Sequence, residues 1–230
     1  LKPRYFSLIS EAKRADFAVK LTNYVVTHGF DGLDVDLEGP SINEDYGAFI
    51  RELVVRLKPQ GKLLTAALSK GYGGAKVPDA ALAEFDVVNV MAYDGAGYWA
   101  PHAPGQHSSM EFAKSDIAYW RGRGLPDAKI VLGVPFYGYG FGEAFRRRSY
   151  SYAEIVGAFP GAENRDEVGD TIWYNGIPTI RAKCQLVLDE KLGGVMIWSL
   201  DNDVPGERSL LSAIHATLSS STTERAASVP

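Results

Sequence analysis

The sequence predicts an α/β protein in which a parallel sheet is covered by helices. Three observations predict it. Helical and strand-like periods alternate along the whole chain, and no two strand-like runs follow one another directly. Five strands are counted this way. Polar, chemistry-bearing residues also gather at the carboxyl ends of successive strands, where α/β folds place their sites.

The elements follow in order. Phe17, Leu21, Tyr24 and Val25 recur at helical spacing, giving an amphipathic helix over 10–28 that Gly29 closes. Residues 30–38, Phe-Asp-Gly-Leu-Asp-Val-Asp-Leu-Glu, alternate polar and apolar and form the first strand. Ser41 with Glu44 makes a capping box ahead of a helix carrying Tyr46, Phe49, Ile50, Leu53, Val54 and Leu57. Short apolar runs over 63–69 and 85–93 are the second and third strands. Ser108 and Glu111 cap a helix that reaches Arg121 and stops at Gly122 and Gly124; residues 130–137 are the fourth strand. Residues 141–176, rich in Gly, Ser, Tyr and charge, carry no clean period and are expected to be an irregular insertion. A helix over 179–191, a strand over 194–200 and a helix over 209–218 complete the pattern. Residues 219–230, opening on Ser-Ser-Ser-Thr-Thr, are expected to be a disordered tail or linker. Two architectures fit this order, an open doubly wound sheet and a (β/α)8 barrel.

Composition limits the function classes. A chain of 230 residues with 46% hydrophobic and 23% charged residues can bury one sizeable core. A net charge of −4 gives no reason to expect nucleic acid or an anionic membrane as partner, and no stretch is long and apolar enough to span a bilayer. The one basic run, Arg146-Arg147-Arg148, is expected to be a solvated loop. The single cysteine, Cys184, excludes an intrachain disulfide and a cysteine-rich zinc site. It shares helical spacing with Ile180, Val187 and Leu188 and is expected in the core. His28, His102, His107 and His215 show no ligand-like spacing, so no metal and no cofactor is expected. The chain opens on Leu1 rather than methionine, so the native N-terminus is expected upstream and no signal peptide can be judged.

Asp34, Asp36 and Glu38 are spaced by two, so on an extended strand they share one side while Leu33, Val35 and Leu37 take the other. Neighbouring acids on that side are about 6.6 Å apart along the backbone. A structural parallel strand would be apolar on both faces, and three carboxylates in a row are costly without a task. Salt-bridged structural acids and a magnesium or calcium site compete with acid–base chemistry as explanations. No further acidic motif accompanies the trio, which favours acid–base chemistry. Mutual repulsion raises at least one of the three pKa values and supplies a proton near neutral pH, as a general acid requires. Glu38, the longest and last, is the natural donor.

The run Asp31-Gly32-Leu33-Asp34-Val35-Asp36-Leu37-Glu38 resembles the DGxDxDxE signature of glycoside hydrolase family 18, the chitinases and endo-β-N-acetylglucosaminidases. Met91-Ala92-Tyr93-Asp94, Gly133-Val134-Pro135-Phe136-Tyr137-Gly138 and Gly194-Val195-Met196-Ile197-Trp198 resemble that family's M-x-Y-D, G-x-P-x-Y-G and G-x-M-x-W segments, in the same order. Tyr174-Asn175-Gly176-Ile177-Pro178-Thr179 resembles the start of its penultimate helix. The likeness runs from about residue 10 to residue 216.

The resemblance implies the (β/α)8 barrel, with residues 1–218 its catalytic part. The acidic strand would be the fourth, so strands four to eight are expected in this chain and the first three before Leu1. It implies retaining, substrate-assisted hydrolysis of β-1,4-linked N-acetylglucosamine polymers, an exception to the two-carboxylate scheme. An endo-β-N-acetylglucosaminidase acting on N-glycans and a non-catalytic sugar-binding protein of the same fold remain open. Glu38, Asp36, Asp34 and Tyr93 would be catalytic; Asp94, Met91, Tyr137 and Trp198 would bind substrate. Leu37 and Tyr139 depart from the family pattern, which commonly has an aromatic and an arginine there; Tyr139 is expected at the rim. A secreted or periplasmic monomer is expected, from the family likeness alone.

Overall fold

The computed structural model describes residues 2–145, 149–169 and 171–227. The Arg146-Arg147-Arg148 run lies outside them. The chain divides into two compact units, 1–91 with 118–131 and 92–117 with 132–230.

The first unit begins with helices α1 (Lys2–Ile9) and α2 (Arg14–Thr27), followed by strand β1 (Gly32–Val35), helix α3 (Tyr46–Leu57), strand β2 (Leu63–Leu68), the short helix α4 (Asp79–Leu82) and strand β3 (Val87–Val90). The strands are parallel and adjacent in that order, Asp34 pairing with Thr65 and Ala67 with Asn89. The end of helix α5 (Met110–Gly122) and the start of strand β4 (Ile130–Pro135), which follows β3 in the sheet, belong to this unit too. Leu64, Ala66 and Val88 from the strands are fully buried, as are Tyr46, Ile50, Leu53, Phe85 and Trp120. Helix α3 forms as expected, its buried face being the i, i+3, i+4 stripe of Tyr46, Phe49, Ile50, Leu53 and Leu57.

Two local expectations are corrected here. Helix α2 buries Ala18, Thr22 and Val25, while Tyr24 is exposed and packs on the His28 ring at 4.1 Å. Small residues let α2 approach α3, with Phe17 stacked on Phe49 at 5.6 Å. Ser41 and Glu44 make no capping box, because Pro40 starts a 3-10 turn over Gly39–Ser41 and α3 begins only at Tyr46. Asp45 precedes that helix and binds Arg14 at 2.9 Å instead.

In the second unit β4 continues from Leu132, with strand β9 (Gly194–Trp198) beside it. Among the described residues the parallel strands total five, as counted from the sequence, and their sheet is not closed: β1 and β9 each have one strand neighbour. Residues 141–176 are not irregular. With strand β5 (Tyr137–Gly140) they build an antiparallel sheet in the order β6-β5-β8-β7, from β6 (Tyr150–Ser151), β7 (Glu167–Val168) and β8 (Ile172–Trp173). Two-residue strands are too short to display a period, which is why the sequence hides them. Helix α6 (Tyr152–Ala158) opens on a true capping box, Ser151 with Glu154. Its Tyr152, Ile155 and Val156 join Phe136, Ile172, Tyr174, Ile180, Cys184 and Ile214 in one apolar core with helices α7 (Ile177–Asp189) and α8 (Leu210–Ala227).

Helix α8 continues past Ser219, where a tail is expected from the sequence. Thr217 and Ser220 satisfy their hydroxyls on the carbonyls of Ala213 and Ala216 at 2.8 and 2.7 Å, so these residues sit in the helix without an orphaned polar group. The start of α5 is corrected by one residue: Ser109, not Ser108, caps it, its Oγ accepting from the Phe112 N–H at 3.0 Å. Ile180→Ala, which empties a fully buried position of the second core, is expected to lower unfolding free energy by about 2–5 kcal/mol in a denaturant titration. A loss below about 1 kcal/mol would contradict this packing.

Candidate active site

Strand β1 presents its acids as the spacing requires. Asp34, Asp36 and Glu38 are exposed, whereas Val35 is buried and Leu33 and Leu37 are half-buried. Glu38 lies beyond the last paired residue but keeps an extended backbone, φ −123° and ψ 157°, so the alternation persists to it. Thr65 Oγ1 and Asn89 Nδ2, from β2 and β3, donate to Asp34 Oδ1 at 2.5 and 3.2 Å. Partial desolvation of its carboxyl, reinforced by the neighbouring Asp34 charge, holds Asp36 above the ordinary carboxylate range although the residue as a whole is accessible. Met91 is buried just after β3, its N–H bonded to Leu68 O at 2.9 Å.

In the second unit, Asp94 anchors a separate network. Its backbone is left-handed, φ 63°, although it is not glycine. Its carboxylate accepts hydrogen bonds from the hydroxyls of Tyr137 and Tyr139, the latter at 2.8 Å. His107, fully buried, accepts the Asp94 N–H through Nδ1 at 3.3 Å and donates from Nε2 to Tyr137 O at 3.2 Å. That tautomer is a neutral imidazole, and burial pushes the His107 pKa down despite the nearby Asp94. Burial alone would raise the Asp94 pKa; the hydrogen bonds donated by the Tyr137 and Tyr139 hydroxyls outweigh it and hold the carboxyl low. Burial first, and Asp94 next, raise the hydroxyl pKa values of both tyrosines, so both stay donors.

Tyr93 is buried, its hydroxyl 3.9 Å from Met196 Sδ and its ring edge-on to Tyr137 at 6.1 Å. Trp198 ends β9 at 55% exposure, its carbonyl accepting the Phe136 N–H at 2.7 Å. The Trp198–Ser199 peptide is cis. Tyr139 is not at a rim: at 6% exposure it is spent on Asp94. Tyr98 and Trp99 pack edge-on against it at 6.2 and 5.3 Å, with Trp99 half exposed.

The family model of glycosyl hydrolases family 18 matches residues 2–203. The chain belongs to that family. Among solved structures, the family 18 chitinase ChiB of Flavobacterium johnsoniae is similar at 38% identity and a TM-score of 0.88, over 95% of this chain and 70% of that one. Probable chitinase 10 of Drosophila melanogaster is 29% identical over 85% of this chain, and a probable endochitinase of Caenorhabditis elegans 28% identical over 84%. The chain spans only 11% and 40% of those two relatives' lengths. These likenesses mark the family 18 chain as a chitinase-like glycoside hydrolase with barrel-type structural neighbours.

Several residues of this family 18 chain escaped sequence reasoning. His107 and Tyr139 carry the Asp94 network, yet neither has a spacing that announces it. Lys183, on α7, is fully buried, with Nζ donating to Ser108 O, Ser108 Oγ and Asn175 Oδ1 at 2.7, 2.6 and 2.7 Å. Burial lowers its pKa to about 7. Ser108 Oγ in turn bonds Ala92 O at 2.6 Å, beside Tyr93. The Tyr174-Asn175-Gly176 match was the available signal for Asn175. Among the described residues, no group of three His, Cys, Asp or Glu side chains is placed to hold a metal ion.

The raised Asp36 pKa has a stability consequence of definite sign. A carboxyl whose folded pKa exceeds its unfolded one opposes folding once it ionises, so the penalty is absent at low pH and grows as pH rises through the folded pKa. Asp36→Asn is therefore expected to raise Tm at pH 7, with the gain vanishing near pH 3. Thermal melts of both proteins across that range check it; a lower Tm for the variant at pH 7 would contradict it.

Proposed function

We propose that this protein hydrolyses chitin or chitooligosaccharides, β-1,4-linked N-acetylglucosamine chains, by the retaining, substrate-assisted route. The observation that carries the reading is the accessible face of β1, where Asp34, hydrogen-bonded by Thr65 and Asn89, stands two residues from an Asp36 whose pKa is raised and four from Glu38. Family membership supports the substrate class.

Glu38 gives its proton to the glycosidic oxygen as the bond to the anomeric carbon breaks. The carbonyl oxygen of the sugar's own 2-acetamido group forms the new bond to that carbon, giving an oxazolinium ion. Asp36 accepts a hydrogen bond from the acetamide N–H and offsets the positive charge that develops there, while the charge of Asp34 tunes the proton affinity of Asp36. Water then attacks the anomeric carbon as its bond to the acetamide oxygen breaks, restoring the acetamide, and loses its proton to the Glu38 carboxylate. Two displacements return the original anomeric configuration. Tyr93 is assigned to donate its hydroxyl to the acetamide oxygen. Asp94, Tyr137 and Met91 are assigned to bind sugar, and Trp198, with its large accessible ring, to stack beneath it. An Asp94 whose pKa is held low by two tyrosine hydroxyls is suited to accept from sugar hydroxyls.

The same proposal makes the protein an exported monomer that needs no metal, cofactor, nucleic acid or membrane partner. No helix among the described residues is long and apolar enough to cross a membrane. Glu38→Gln is expected to cut turnover of chitooligosaccharides at least about a hundredfold while oligosaccharide binding persists. Excess EDTA is expected to leave turnover unchanged. Full activity of Glu38→Gln would overturn the donor assignment, and strong EDTA inhibition would replace it with a metal-dependent reaction.

A further inference from the structure

The residue after Glu38 is packed in an unusual way. Gly39 is left-handed, φ 53°, and a Cβ placed on it would lie 2.3 Å from Tyr72 Cζ, inside the tyrosine ring. Gly73, φ 94°, approaches as closely from the other side: its Cβ would lie 2.6 Å from Gly39 N. The Gly39 N–H donates to Tyr72 O at 3.1 Å, and the turn is closed by Gly74 N–H on Ser69 O at 3.0 Å. So the turn after β2 lies on the backbone that follows the acidic strand, and two glycines are what permit it. The ring of Tyr72 fills the space that a side chain at position 39 would occupy.

Packing does not exhaust that ring, because Tyr72 is 51% exposed. One part rests on Gly39; the rest is open to solvent beside a main chain whose Cα positions step by about 3.8 Å. Tyr72 therefore stands one residue from the proposed proton donor. Glu38 is the group that meets the oxygen of the leaving sugar, and the ring is packed on the residue that follows it. An accessible aromatic face offers sugar C–H groups an apolar platform, and the hydroxyl can meet a sugar oxygen.

We propose that Tyr72 is a substrate-contacting, specificity-determining residue that stacks on the leaving sugar, the one whose oxygen Glu38 protonates. This rests on Glu38 being the donor. The test compares Tyr72→Ala and Tyr72→Phe on two substrates: a chitooligosaccharide, whose leaving group is a sugar, and an aryl chitobioside, whose leaving group is a small phenol. Tyr72→Ala should lower kcat/KM on the oligosaccharide by about tenfold, chiefly through KM, and leave the aryl substrate within about twofold. Tyr72→Phe, which keeps the ring, should recover most of the oligosaccharide activity. Equal losses on both substrates would show a structural role only, and no loss on either would remove Tyr72 from the site; each overturns the proposal. Failure of the underlying reading shows differently, as a Glu38→Gln variant that remains active on both substrates.

Discussion

Two carboxylates on one face of a strand repel each other, and the neighbouring strands determine how that repulsion is resolved. The parallel register brings Thr65 and Asn89 to Asp34, whose carboxylate accepts from both. Asp36 has partial desolvation and the Asp34 charge against its ionisation, and its pKa rises. The two acids of one face thus sit in different surroundings. Glu38 extends the same face by two residues, with backbone geometry that preserves the alternation.

Asp94 receives the reverse treatment. Burial works against its charge, but the Tyr137 and Tyr139 hydroxyls converge on it and the pKa falls. Its left-handed backbone aims the amide at His107, and the buried imidazole is held neutral with each nitrogen occupied. Lys183 clamps Ser108, next to His107, from α7. The two aspartates show that environment, rather than residue type, sets what a carboxyl does.

The parallel strands and the long helices were legible because burial imprints a period. The i, i+3, i+4 stripe of α3 and the alternation from Asp31 to Glu38 came through unchanged. What burial does not imprint over enough residues was lost. Strands β6, β7 and β8 are two residues each, and the antiparallel sheet they form was invisible. Starts of helices were missed where one residue decides: Pro40 displaced the Ser41 cap, and Ser109 took the role expected of Ser108. At the site, residue type and parity revealed the acids of β1. His107, Tyr139 and Lys183 act through contacts between segments far apart in the chain, as does the fit of Tyr72 over Gly39, and no local pattern encodes such pairings.

The central claim is that the Asp34 charge and partial desolvation together raise the Asp36 pKa. Carbon-detected NMR titration of the aspartate side-chain carboxyls, in the parent and in Asp34→Asn, measures it directly. The account predicts that Asp36 titrates above the ordinary carboxylate range in the parent and moves down, though not fully, in the variant, since burial remains. An Asp36 that titrates at the ordinary carboxylate value in the parent, or does not respond to loss of Asp34, would contradict it.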